Sequence, residues 1–126
     1  MQRLANPGLL VAGIINLLPV AGVLGVPWLQ SLYAIQIGTV DIEILLRHRA
    51  LLFGIIGVVL IAAVFRPSLR GVALFASAAS MASFIAIALL VGGYNPLLSR
   101  IIVADVAGLA ALIPAIVSTF GNYSRR

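Results

Sequence analysis

The sequence has no cysteine, no lysine and only three acidic residues in 126 positions. Without thiols there is no disulfide framework, no thiolate metal site and no thiol redox chemistry. His48 is the single histidine, and one imidazole without a second His or a Cys is a poor start for a metal centre. The chain also lacks a Gly-x-Gly-x-x-Gly fingerprint, a Walker loop, a His-Glu-x-x-His pair and a nucleophile elbow. These absences remove the usual phosphate cradles and hydrolytic centres. The hydroxyls of Ser77, Ser80 and Ser83 have no evident base beside them.

Charge is scarce as a whole. Only 9% of residues are charged and 63% are hydrophobic, with a mean hydropathy of +1.21. A soluble domain carries about 25% charged residues, so the solvent for most of this chain is lipid. The net charge of +5 comes from arginines that stand singly or in pairs at the ends of apolar runs. A nucleic-acid surface needs basic residues clustered on one polar face. Arginines at the ends of apolar runs instead anchor helices at a phospholipid surface.

A spanning helix needs about 20 mostly apolar residues at about 1.5 Å of rise each. Four segments meet or approach that length: 8–26, 42–65, 71–91 and 97–120. They define an all-α, four-transmembrane-helix antiparallel bundle, one integral membrane domain over 1–126. The first segment follows Arg3, as a signal peptide would, but the uncharged stretch from Leu4 to Val40 far exceeds a cleavable core. A retained first helix is therefore expected, entered at Asn6-Pro7 and left at Pro27-Trp28. Trp28 and Tyr33 suit the headgroup zone. Residues 29–41 form the longest connection, on the membrane surface or dipping into it.

The second helix is expected to start near Asp41, with Asp41 capping its amides and Glu43 in its first turn. Its uninterrupted apolar part, Ala50 to Phe65, is too short to span alone. Arg47, His48 and Arg49 must then lie on its first turns, at or just beneath the interface. Pro67 and Pro96 break the chain between the later helices. An even number of crossings puts Arg3, Arg66, Arg70, Arg125 and Arg126 on one side, which the positive-inside rule makes cytoplasmic.

Small residues mark helix contacts, because close backbone approach is the main source of packing energy in lipid. Ala73, Ala76, Ser77, Ser80 and Ser83 form one such stripe, Ala104, Gly108, Ala111 and Ala115 another, and Gly54 and Gly57 a third.

Asp105 is the most informative residue. It lies roughly eight residues into the last segment, or ~12 Å along it. An unpaired carboxylate there costs at least ~2.5–3.5 kcal/mol, so it must face the interior and find a partner among Arg47, His48 and Arg49. Arg100 is poorly placed for that pairing. Two meanings remain open: a proton-relay or ligand-anchoring acid, or a buried ion pair that docks two helices. Asn16, in the middle of the first helix, should hydrogen-bond another helix. Pro19 frees the carbonyl of Ile15 and kinks that helix. Tyr94 and Asn95 belong at the mouth on the same side. Asn16, Arg47, His48, Arg49, Ser83, Tyr94, Asn95 and Asp105 are thus expected to converge in one half of the bundle.

The run Gly13-Ile14-Ile15-Asn16-Leu17-Leu18-Pro19, the stretch Leu46-Arg47-His48-Arg49-Ala50-Leu51-Leu52-Phe53-Gly54, then Phe65-Arg66-Pro67, Gly93-Tyr94-Asn95 and Asp105, together resemble the DoxX-like group of small four-helix bacterial membrane proteins. The resemblance covers nearly the whole chain, with Arg47-His48-Arg49 its most specific part. Relatives carry a histidine where Asn16 stands here, a departure that weakens a proton relay through this position. DoxX itself is a membrane subunit of a thiosulfate:quinone oxidoreductase, so the resemblance implies a quinone or a redox partner. Some sequences of this type carry the name phosphopantetheine adenylyltransferase. That enzyme has a soluble nucleotide-binding α/β fold and an N-terminal Gly-His phosphate motif, and this chain has neither.

The reading that follows is a non-enzymatic bundle of the bacterial inner membrane, with both termini cytoplasmic. It holds a quinone or lipid headgroup, or docks as a subunit of a membrane redox complex or against a second copy. Nucleic acid is no partner. The alternative is a small proton-coupled carrier in which Asp105 titrates. A third, smaller class is a membrane enzyme using Arg47, His48 and Asp105.

Overall fold

In the computed structural model, residues 2–121 are described, with side chains from residue 6 onward. Arg125 and Arg126, invoked for sidedness, lie outside the described residues, as does the side chain of Arg3. The described chain is all-α: α1 (Gln2–Leu17), α2 (Val26–Tyr33), α3 (Val40–Phe65), α4 (Arg70–Val91) and α5 (Pro96–Phe120). Tight 3-10 segments at Leu18–Leu24 and Pro67–Leu69 join them. Four stretches are long and apolar enough to cross a membrane: Asn6–Leu24, Val40–Phe65, Pro67–Val91 and Pro96–Phe120.

The first span differs most from the expected helix over 8–26. It begins earlier, at Gln2, and carries Pro7 inside it. In the second turn the missing N–H costs only one backbone bond. At its other end the α-helix stops at Leu17. Pro19 has no N–H for the Ile15 carbonyl, and the chain tightens into a 3-10 helix as far as Leu24. Gly25, at φ 136°, then turns the chain in a conformation that L side chains rarely adopt.

The connection after it folds back against the bundle. It contains α2, whose Leu29 and Tyr33 are buried while Trp28 stays exposed. Tyr33 is therefore an interior residue, not a headgroup anchor. Helix α3 is capped by Thr39, whose hydroxyl accepts from the Ile42 amide at 3.3 Å, rather than by Asp41. Asp41 and Glu43 occupy its first turn, where carboxylates favour the helix dipole. Pro96 opens α5 at a position that needs no N–H, and the Asn95 side chain accepts from Leu98 N at 2.9 Å.

Helices α1, α3, α4 and α5 form a ring in which α1 packs on α3 and α5, and α4 packs on the same two. Short turns make α3, α4 and α5 antiparallel neighbours. The closest approaches occur at glycines. A Cβ on Gly57 would meet Leu17 Cγ at 2.8 Å and the Gly13 carbonyl at 2.9 Å, and one on Gly54 would meet Val20 at 2.8 Å. Along α4, Ala73 and Ser77 are buried in the seam and Ser83 is exposed, so this seam closes at one end only.

Candidate functional site

The breaks in the first span and the folding back of α2 leave a cavity of about 180 Å³ at the end of the bundle where α3 and α5 begin. Ile15, Asn16, Leu18 and Pro19 line it from the first span. Leu32 and Tyr33 close it from α2, Arg49 and Phe53 from α3, and Ile101, Ala104 and Asp105 from α5. Leu18 is 64% exposed, so one wall of the cavity adjoins the lipid side of the bundle.

Arg49 lies nine residues after the start of α3, a depth of roughly 13 Å at about 1.5 Å per residue. Its guanidinium carbon sits 4.9 Å from the Phe53 ring, 4.9 Å from the Phe84 ring and 5.5 Å from the Tyr33 ring. Cation–π contacts at such distances contribute about 0.5–1 kcal/mol each, and about 2 when desolvated. An arginine at a membrane centre costs about 2.5–3.5 kcal/mol on insertion scales, and less nearer the interface. Three aromatic faces together offset most of that cost. They accept none of the guanidinium hydrogens in conventional hydrogen bonds.

Asp105 is 8% exposed and lines the same cavity. The described residues contain a single salt bridge, Arg47–Glu43. Asp105 and Arg49 thus share the cavity without the direct ion pair that a docking contact between helices requires. Among the described residues neither side chain has a hydrogen-bond partner. Asn16, 3% exposed, donates from Nδ2 to the Ala12 carbonyl at 2.8 Å. That corrects the expected bond to another helix: the side chain folds back one turn, and its Oδ1 is the atom left for the cavity. Burial raises the Tyr33 phenol above its ordinary value, with the Arg49 charge acting against that shift and Asp105 with it. The phenol is a hydrogen-bond donor at neutral pH.

The other sequence candidates sit elsewhere. Arg47 turns away from Asp105; its Nε donates to the Val23 carbonyl at 2.9 Å and its Nη1 pairs with Glu43 at 3.1 Å. It braces the 3-10 segment against α3. His48 and Tyr94 are exposed, and neither lines this cavity. Ser83 donates to the Ser80 carbonyl at 3.0 Å and faces a different cleft, beyond Arg49. Asn95 acts at one remove: its Nδ2 donates to the carbonyls of Tyr33 at 2.8 Å and Ala34 at 3.2 Å. These bonds hold the end of α2, where Ala34 takes the left-handed conformation at φ 50°.

Asn95 therefore caps α5 and fixes Tyr33 at the same time. Replacing it by alanine removes a cap worth about 0.5–2 kcal/mol and both bonds to α2. The expected result is a clear fall in thermal midpoint in micelles, followed by circular dichroism, together with increased solvent quenching of Tyr33 fluorescence in a chain whose other tyrosines are replaced by phenylalanine. An unchanged midpoint would remove Asn95 as the brace.

Tyr33, Phe53 and Phe84 were not legible as site residues. One signal was available: Arg49 and Phe53 are four apart on one helix, the spacing at which side chains meet.

The described residues contain no group of three or more His, Asp or Glu side chains able to hold a metal ion. What the fold and cavity define is a multi-pass membrane protein, a four-helix bundle with a small, largely apolar cavity that contains one cation and one acid. Comparison with protein-family models, curated proteins and solved structures finds no match.

Proposed function

We propose that this chain is a ligand-holding accessory protein of the bacterial inner membrane, and that its cavity takes the head ring of a quinone. One observation carries the reading: Arg49 and Asp105 line one cavity without pairing directly. A charged pair kept for structure alone would close on itself. Here the donor and the acceptor line one shared space.

Size supports a single ring. An apolar cavity of about 150 Å³ accepts benzene, and this one measures about 180 Å³. Drug-sized ligands need about 300–1,000 Å³. The chemistry also fits. Arg49 and the Tyr33 phenol can donate to a ring carbonyl, while Asp105 and Asn16 Oδ1 can accept from a ring hydroxyl in the reduced form. A bound quinone would supply two-electron redox chemistry to a partner subunit. This chain contributes position, charge and exclusion of water. The exposed wall at Leu18 offers a path for an isoprenoid tail into lipid. The resemblance to the DoxX-like group points the same way. Cytoplasmic termini rest on five arginines, Arg3, Arg66, Arg70, Arg125 and Arg126, against Arg47, Arg49 and Arg100 on the other side.

The test is native mass spectrometry of the full chain extracted gently from its own membranes. A bound quinone that is lost in Asp105→Asn supports the reading. A chain carrying nothing, or only bulk phospholipid, overturns it.

A second reading has its own observation. The first span is a discontinuous helix, broken beside the cavity at Pro19. Carriers commonly place their sites at such breaks. Proton or solute flux in liposomes, abolished by Asp105→Asn, would favour a proton-coupled carrier; silent liposomes would remove it.

A further inference from the structure

A second cleft, of about 280 Å³, opens between α3 and α4. Leu52, Ile56, Phe84 and Ile87 give it apolar walls, and Ser80 and Ser83 form the rest of its α4 side. Leu52 is 46% exposed and Ile87 60%, so within a membrane these walls meet lipid chains.

Arg49 and Phe53 line both cavities. The Arg49 guanidinium lies 4.9 Å from the ring of Phe53, shared with it by both cavities, and 4.9 Å from that of Phe84, which lines the second. On the first side it shares space with Asp105. No acid lines the second side. The Ser83 hydroxyl donates its hydrogen to the Ser80 carbonyl, and Arg49 is the one charged residue among those lining the cleft. A guanidinium with unfilled hydrogen-bonding capacity, on the wall of an apolar cleft that opens to lipid, is complementary to an anion on an alkyl chain.

We propose that the α3–α4 cleft binds a long-chain fatty acid, its ionised carboxylate on Arg49 and its chain along Leu52 and Ile56. A carboxylate matches the planar guanidinium fork with two parallel hydrogen bonds. This site does not depend on a ring in the first cavity. Because both use one guanidinium, occupants of the two cavities compete for it.

The experiment is photolabelling of the full chain in micelles with a palmitate analogue that carries a mid-chain diazirine, beside its methyl ester. The acid should label peptides containing Leu52, Ile56 and residues 80–87 about tenfold more than the ester, the ratio that one charge-assisted hydrogen bond provides. Ser83→Phe, which fills the cleft and leaves the first cavity intact, should abolish that labelling while quinone binding persists. Equal labelling by acid and ester overturns the proposal, and this comparison needs no variant to fold. So does labelling spread over all lipid-facing helices, or labelling that survives Ser83→Phe in a folded chain. Retained acid preference in a chain that binds no quinone would remove the first reading and leave this one standing.

Discussion

Arg49→Gln and Asp105→Asn are expected to have sharply unequal effects on stability and similar effects on ligand binding. A direct buried ion pair makes each partner indispensable, and removing either costs about 3–5 kcal/mol. That is not the arrangement here. Arg49 has three aromatic faces within 5.5 Å, so it keeps its contacts when Asp105 becomes neutral. Asp105→Asn should therefore change stability by less than about 1 kcal/mol. Arg49→Gln forfeits the cation–π contacts and leaves a nearly buried carboxylate without its nearest compensating charge, a loss of about 2–4 kcal/mol. The double variant should recover part of it, about 1–3 kcal/mol, the range measured for residues that share one network. Denaturant titration of the four chains in mixed micelles gives the cycle. Each single variant should weaken binding of a one-isoprene benzoquinone by about tenfold or more, as for a lost hydrogen bond to a charged group. Two equal, large stability losses would instead identify a docking pair and remove the site.

The asymmetry also separates what the sequence makes legible from what it does not. The four spans could be read because lipid imposes a length and an apolar composition on each, and because Pro67 and Pro96 break the chain between them. Gly54 and Gly57 could be read as contacts, since only close backbone approach needs glycine inside an apolar helix. The placement of Asp105 opposite the start of α3 followed from cost alone. Its neighbour could not be chosen among Arg47, His48 and Arg49, because lipid and bundle interior are equally apolar and leave no periodic pattern to fix the rotation of α3. For the same reason Tyr33 was assigned to the headgroup zone. A phenol between apolar residues looks alike at an interface and in an interior, and only the fold of α2 separates the two. Asn16 illustrates a different limit. A side-chain amide can satisfy itself on its own helix, one turn back, as easily as on a neighbour.

Gly8→Val should be the most damaging single change outside the cavity. A Cβ at Gly8 falls on the carbonyl of Ala111, with the carbonyl carbon at 3.1 Å. The obstacle is backbone, so no rotamer change can relieve it. At Gly108, by contrast, the added atom meets the Met81 side chain at 2.9 Å, and a flexible thioether can give way. Gly8 lies beside Leu9 and Ala12, both fully buried, with Leu112 across the contact. Forcing α1 away from α5 therefore opens the best-packed part of the core. Overpacking typically costs about 1–3 kcal/mol, and a backbone clash belongs at or above the upper end. The expected outcome is a thermal midpoint lowered by about 10–20 °C or no folded protein at all, while Gly108→Ala remains folded. Because Gly8 is more than a full turn of α1 from Asn16, a chain that does fold should still bind its ligand in proportion to the folded fraction. A folded Gly8→Val chain with an unchanged midpoint would mean that α1 and α5 do not approach this closely in the membrane, and with that the placement of Asn16 opposite Asp105 would fall.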